Sequence, residues 1–154
     1  MNLLDHFILQ HVQISVLRTE LVRASREPGM REAKVELNLT PRLIEAEKES
    51  PLPSYQVSAR LNCDSASEDE DGPAFKAVVG LEGVYQQVSG DPMDINEFTQ
   101  QHAVLARQLY PLLQQEMRGL LARMGLSQIQ LPFDLAPRAQ SVEGASIEVS
   151  SSLH

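Results

Sequence analysis

The spacing of apolar residues changes period once along this chain, near Asp94, and that change restricts the possible folds more than any other feature. Before it, Val12, Ile14 and Val16 alternate with Gln13 and Ser15, and Val35, Leu37 and Leu39 alternate with Glu36 and Asn38. Tyr55, Val57, Ala59, Leu61 and Cys63 alternate in the same way with Gln56, Ser58, Arg60 and Asn62. Successive side chains of a strand leave opposite faces, so alternation marks strands buried on one face. A fourth run, residues 75–88, is rich in β-branched residues, and its Gly80 and Gly83 mark a bulge or a close approach by a neighbour. Turn residues such as Pro28-Gly29, Pro51 and Pro53 separate the runs, with no helical crossover between them. An antiparallel sheet with one face buried is predicted.

After Asp94 the apolar residues fall at three-and-four spacing: Ile95, Phe98, Leu105, Leu109, Leu112, Met117, Leu120 and Met124. That places one stripe along a helix. Asp94 is suited to cap its start, with Glu97 completing a capping-box-like pair, and Gly125 is suited to stop it. Roughly 30 residues of helix would run about 45 Å, and Pro111 should kink or split it. Leu113 and Leu121 widen the stripe beyond what one sheet covers, which leaves apolar surface for a second subunit or a ligand. Residues 127–135 alternate again through Ile129, Leu131 and Phe133, with Gln128 and Gln130 on the other side. The predicted class is α+β: a four-stranded antiparallel sheet with a long, Pro-kinked helix on one face. One domain spans residues 1–135. Residues 136–154, with Pro137, Gly144 and Ser150 to Ser152, read as a flexible, Ser-rich tail.

Composition narrows the function. At 154 residues the chain is one domain's worth and can bury roughly two-thirds of its unfolded surface without metal or disulfide. Its single cysteine, Cys63, cannot form an internal bridge, which suits a reducing compartment. Thirteen Lys and Arg against 21 Asp and Glu give a net charge of −8, which opposes binding to nucleic acid or anionic membranes. Five of the acids sit in residues 64–71, a solvated loop, and the rest of the chain carries only −3. No stretch approaches the roughly 20 apolar residues of a membrane span. Residues 6–17 lack charge but follow Asp5 and carry Gln10, His11 and Gln13, unlike a secretion signal. A soluble cytoplasmic protein is expected.

Catalytic patterns are lacking. His6, His11, His102 and His154 share no metal-ligand spacing, and no phosphate-cradling Gly-rich motif occurs. His102 on the helix reads as a hydrogen-bonded structural residue, and Cys63 as a small buried hydrophobe. No pair of carboxylates is set apart for acid–base work. A hot-dog thioesterase also wraps a sheet around a helix, but there the helix follows an early strand, and here Glu97 and Glu116 lie only at the edges of the stripe. A binding protein without cofactor or catalysis remains.

The order of parts resembles the SecB family of export chaperones. The likeness is carried by LYPLLQQEMRGLLARMGLSQIQLPFDL, residues 109–135, in which Tyr110-Pro111, Gly125, Ile129, Leu131, Pro132 and Phe133 stand at the family's aromatic-Pro, Gly, and Leu-x-Leu-x-Pro-Phe positions. Upstream, residues 75–85 are similar to the family's fourth strand, with Gly83-Val84-Tyr85 at its Gly-aliphatic-aromatic site. The resemblance implies an ATP-independent holdase, a homotetramer built as a dimer of dimers, that keeps unfolded polypeptides in apolar grooves for export or for one dedicated client. It implies groove positions Phe98, Tyr110, Leu126, Ile129, Leu131 and Phe133, and subunit contacts at Val12, Ile14, Leu105, Leu109 and Leu113.

Two departures bear on partners. SecB proteins that deliver clients to the SecA motor carry acids on the first and fourth strands; the corresponding positions here are Val16 and Val78, with Glu20 retained and Lys76 nearby. That weighs against docking to SecA, whose basic partner surface would lose its complement. The family also has a second amphipathic helix, which the tail here cannot make. The reading is therefore a divergent SecB-like chaperone with a particular client, such as an antitoxin or a phage or accessory protein. The alternative is an oligomeric scaffold or adaptor of the same fold without holdase activity.

Overall fold

The alternating runs become four long antiparallel strands, and the three-and-four stripe becomes helix laid over them. A computed structural model describes residues 2–21, 33–44, 52–65, 75–127, 129–132, 137–142 and 146–153. A single turn of helix, α1 (Leu3–His6), leads into β1 (Phe7–Leu21), followed by β2 (Ala33–Ile44), β3 (Ser54–Ser65) and β4 (Phe75–Gln87). Helices α2 (Ile95–Gln100) and α3 (His102–Arg123) come next, and β5 (Pro137–Val142) and β6 (Ser146–Leu153) end the chain. The sheet order is β1-β4-β3-β2-β6-β5.

Register turns the alternation into one apolar face. Leu37 stands opposite Leu61, and Leu61 opposite Val79; all three are buried, as are Val35, Leu39, Val57, Ala59, Ala77 and Leu81. Helix α3 packs on this face over β3 and β4. Its buried residues are Leu105, Ala106, Leu109, Tyr110, Leu113, Met117, Leu120 and Leu121, so Leu113 and Leu121 belong to the stripe and Leu112, 38% exposed, does not. The i+4 series 105, 109, 113, 117 faces the sheet, and residue 112 lies a quarter-turn away from it.

The glycines of β4 sit where β1 is irregular. Shifts of register fall between Leu9 and His11 and between Ile14 and Val16. A methyl group on Gly80 would come within 3.1 Å of the Val16 Cβ, and one on Gly83 within 3.3 Å of Leu9. Both positions are close approaches, as the sequence suggested.

The helical region breaks, but at Gln101 and not at Pro111. The Gln101 N–H donates to the Phe98 carbonyl at 3.0 Å and Thr99 Oγ1 donates to the Ile95 carbonyl at 2.7 Å, closing α2 before α3 begins. Pro111 stays inside α3. It and Arg107, whose carbonyl loses its partner there, are exposed, so water can take the freed carbonyl. Asp94 caps α2 as expected, its side chain accepting from the Glu97 N–H at 2.8 Å.

The tail differs from the expected flexible segment. In place of a free end, β6 pairs with β2 from Ala33↔Leu153 to Leu39↔Ile147, and β5 pairs with β6. Serine content suggested disorder, yet Ile147, Val149 and Leu153 alternate along SIEVSSSL, and the outer edge of β2 offers backbone groups for pairing.

Candidate functional site

The second half of α3 and the chain that doubles back beside it form a candidate site. The turn is made at Gly125, whose φ of +74° is the left-handed conformation that glycine adopts most readily. Its N–H donates to the Ala122 carbonyl at 3.1 Å and the Leu126 N–H to the Leu121 carbonyl at 2.8 Å. This is the paired hydrogen-bond pattern of a Schellman stop, with apolar residues at Leu121 and Leu126 to close it. Beyond it, Ile129 and Leu131 are buried and Gln130 is exposed, so the alternation read from the sequence holds over the described residues.

Two side chains of α3 hold the returning segment. The Tyr110 hydroxyl donates to the Pro132 carbonyl at 2.6 Å, and the Gln114 amide reaches the same oxygen at 3.3 Å. Pro132 thus ends up beside the middle of α3, with a cleft of about 350 Å³ nearer the Gly125 turn. The cleft is lined by Arg118, Leu121, Ser127, Ile129, Gln130 and Leu131. Its apolar contribution is Leu121, Ile129 and Leu131; Ser127 and Gln130 add hydrogen-bonding groups, and Arg118 is the charged member of the lining. Such a mixture suits an extended peptide, which offers apolar side chains and backbone amides together.

Of the groove positions expected from sequence, Tyr110, Leu126, Ile129 and Leu131 lie along this half of α3. Phe133 and Gln128 lie outside the described residues. Phe98 is elsewhere: it is fully buried and stacks on Tyr55 at 4.2 Å between ring centroids, with Phe7 at 5.5 Å and Tyr85 at 5.9 Å. An aromatic on a short helix facing the sheet fills core, and this one closes the end of the sheet where β1 and β3 begin and β4 ends. Two cleft residues, Arg118 and Ser127, carry no mark in the sequence, and Gln130, expected on the other side, joins the lining. The signal for Arg118 was spacing, since 110, 114, 118 and 121 follow one helical face.

The expected subunit contacts divide in two. Leu105, Leu109 and Leu113 are fully buried against the chain's own sheet. Along β1, Phe7 is buried and Leu9 and Ile14 pack against the core, but other apolar residues in register with the buried face stay open. Val12 opposite Gly83, Leu17 opposite Val79 and Leu21 opposite Phe75 are 37%, 51% and 46% exposed, and Ile14 is half-buried. On the other face of the sheet, Val16 lies over Gly80, Val78 pairs with Arg18, and Glu20 with Lys76. Glu82 accepts there from Ser15 at 3.3 Å, Gln56 at 3.2 Å and Ser58. That face is a mixture of both signs and not an acidic field.

Among the described residues no group of three or more His, Cys, Asp or Glu could hold a metal ion. Cys63 is buried, and burial pushes its thiol up to about 12, so the nucleophilic thiolate is scarce. Burial likewise raises the Tyr85 hydroxyl, which donates to Gln108 at 2.8 Å. No helix among the described residues is long and apolar enough to cross a membrane.

No family model and no curated protein sequence matches this chain. A solved structure does: the SecB-like chaperone Rv1957 of Mycobacterium tuberculosis, in complex with a ChAD peptide from the HigA1 antitoxin Rv1956. The two share a TM-score of 0.64 and 14% identity over 85% of this chain and 93% of the other. At that identity the likeness is one of fold: an α+β, SecB-like arrangement.

Proposed function

We propose that this chain is a SecB-like chaperone that holds extended apolar segments of unfolded or partly folded polypeptide without ATP. The observation that carries this reading is the cleft between α3 and residues 129–132, whose apolar floor and polar rim match an extended chain. The fold neighbour supports it, being a chaperone recorded with a peptide from a partner protein. By the same parallel, one dedicated client such as an antitoxin is favoured over general export. The mixed outer face of the sheet offers little to a basic docking partner, so SecA coupling forms no part of the proposal.

The working form is an oligomer, a dimer of dimers, assembled through β1 with Val12 and Ile14 at the contact. Support comes from the apolar residues that β1 leaves uncovered, because stripes of that kind on soluble chains mark protein contacts. Cytoplasmic residence fits the lone buried Cys63.

The test is suppression of aggregation. A chemically unfolded client is diluted from denaturant with stoichiometric chaperone and no nucleotide, and light scattering is followed. Suppression for at least one client supports a holdase. Unchanged scattering for several unrelated clients, with one partner recovered by pull-down, would favour the scaffold or adaptor reading.

A further inference from the structure

We infer that the outer edge of β2 is a second site for extended polypeptide, occupied in cis by strand β6, and that a client segment of similar pattern takes its place. This deepens the chaperone reading above and rests on it.

Register is the first support. From Leu39↔Ile147 to Ala33↔Leu153, each apolar residue of β6 stands opposite a buried residue of β2: Ile147 at Leu39, Val149 at Leu37, Leu153 at Ala33. Of the polar residues, Glu148, Ser150 and Ser152 stand opposite Asn38, Glu36 and Lys34, whereas Ser151 stands opposite the buried Val35. A one-residue slip would reverse this correspondence. The edge therefore selects alternation of apolar residues in phase with the sheet, and asks little of their identity.

Length is the second. β2 has 12 residues and β6 has 8, and among the described residues the two pair from Ala33 to Leu39 of β2. The edge accommodates a longer strand than the one it holds. Topology is the third: only β5 lies beyond β6 in the sheet. It can leave without any other strand being unpaired except β5.

Strand addition draws its affinity from main-chain hydrogen bonds and is tolerant of sequence, which suits a chaperone. A segment tethered in cis competes at an effective concentration in the millimolar range. Weak clients are thereby excluded, and a client that also fills the cleft gains the edge.

The experiment uses the full chain with Glu36→Cys and Ser150→Cys, a directly paired position across which a disulfide can form. Cys63 stays a buried thiol and does not interfere. Binding of a fluorescein-labelled synthetic peptide of sequence SIEVSSSL is followed by anisotropy in the oxidised and reduced states. The reduced protein is expected to bind at least about tenfold more tightly than the oxidised one, and Val149→Pro in the full chain to bind more tightly than wild type by a similar factor. Equal affinity in both states, binding in neither, or failure of the two cysteines to join would overturn the inference. Aggregation suppression by wild type alongside any of those results would leave the chaperone reading standing.

Discussion

The Tyr110 hydroxyl lies 2.6 Å from the Pro132 carbonyl and donates to it, fixing the chain after the helix against the helix that precedes it. Tyr110 is followed by Pro111, which leaves α3 unbroken, so the anchor sits on a rigid element. With Gln114 at the same oxygen, it sets the far end of the cleft. Tyr110→Phe removes one hydrogen bond from a nearly buried donor and should cost about 1 kcal/mol in urea unfolding. Amide exchange at 129 and 131 should speed up more than exchange in the strands, because the wall is loosened and the sheet is not.

Two glycines of the same region should respond in opposite directions to alanine. Gly125 has a φ of +74° and open space around it, so Gly125→Ala meets no clash and still costs about 1 kcal/mol through the left-handed backbone. Gly119 lies inside α3, exposed and with open space where a Cβ would sit. Gly119→Ala should raise stability by about 0.5–1 kcal/mol through helix propensity alone. Thermal or urea unfolding of the two variants checks both signs.

Alkaline pH should destabilise the chain in a defined window. Burial raises the hydroxyls of Tyr85 and Tyr55, with Asp94 and Glu97 adding to the effect at Tyr55. Burial also pushes the Cys63 thiol from 9.0 to about 12. Protons held more tightly in the folded chain stabilise it fully below the free-chain values and are lost as pH rises past them. Stability is therefore expected to fall from about pH 9 upward, first for the thiol and then, near pH 10, for the tyrosines. Tyrosinate absorbance should appear together with loss of far-ultraviolet signal, and Tyr85→Phe should shallow the decline.

Charge on β1 should separate subunits and spare the fold. Val12 and Leu17 are exposed in the chain itself, so Val12→Glu with Leu17→Lys buries no charge in the protomer. Sedimentation should move from an oligomer to a monomer with the far-ultraviolet spectrum unchanged. A wild-type monomer, or a variant that stays assembled, would place the contact elsewhere.

Much of this was legible in the residues. The four strands follow from alternation, which is locally decided by the need to bury one face, and Asp94 and Gly125 mark their helix ends because capping is a local interaction. What could not be read depended on distant partners. Phe98 sits at helical spacing like a groove residue, but Tyr55, Tyr85 and Phe7 reach it from three strands and enclose it. Gln87, 1% exposed, accepts from the Met93 N–H at 3.0 Å and donates to the Ser89 carbonyl at 2.9 Å; nothing in a lone Gln at a strand end announces that it shapes the loop into α2. Nor could serines 150 to 152 reveal a strand, since their pairing is supplied by the backbone of β2.

The most direct measurement of the central claim is hydrogen exchange of the full chain with and without a chemically unfolded client, in the absence of nucleotide. Client binding in the cleft should slow exchange of amides between 118 and 131, and leave the β3 and β4 amides at the aromatic end of the sheet unchanged. Protection confined to the outer face of the sheet, or no protection while the client is bound, would contradict it.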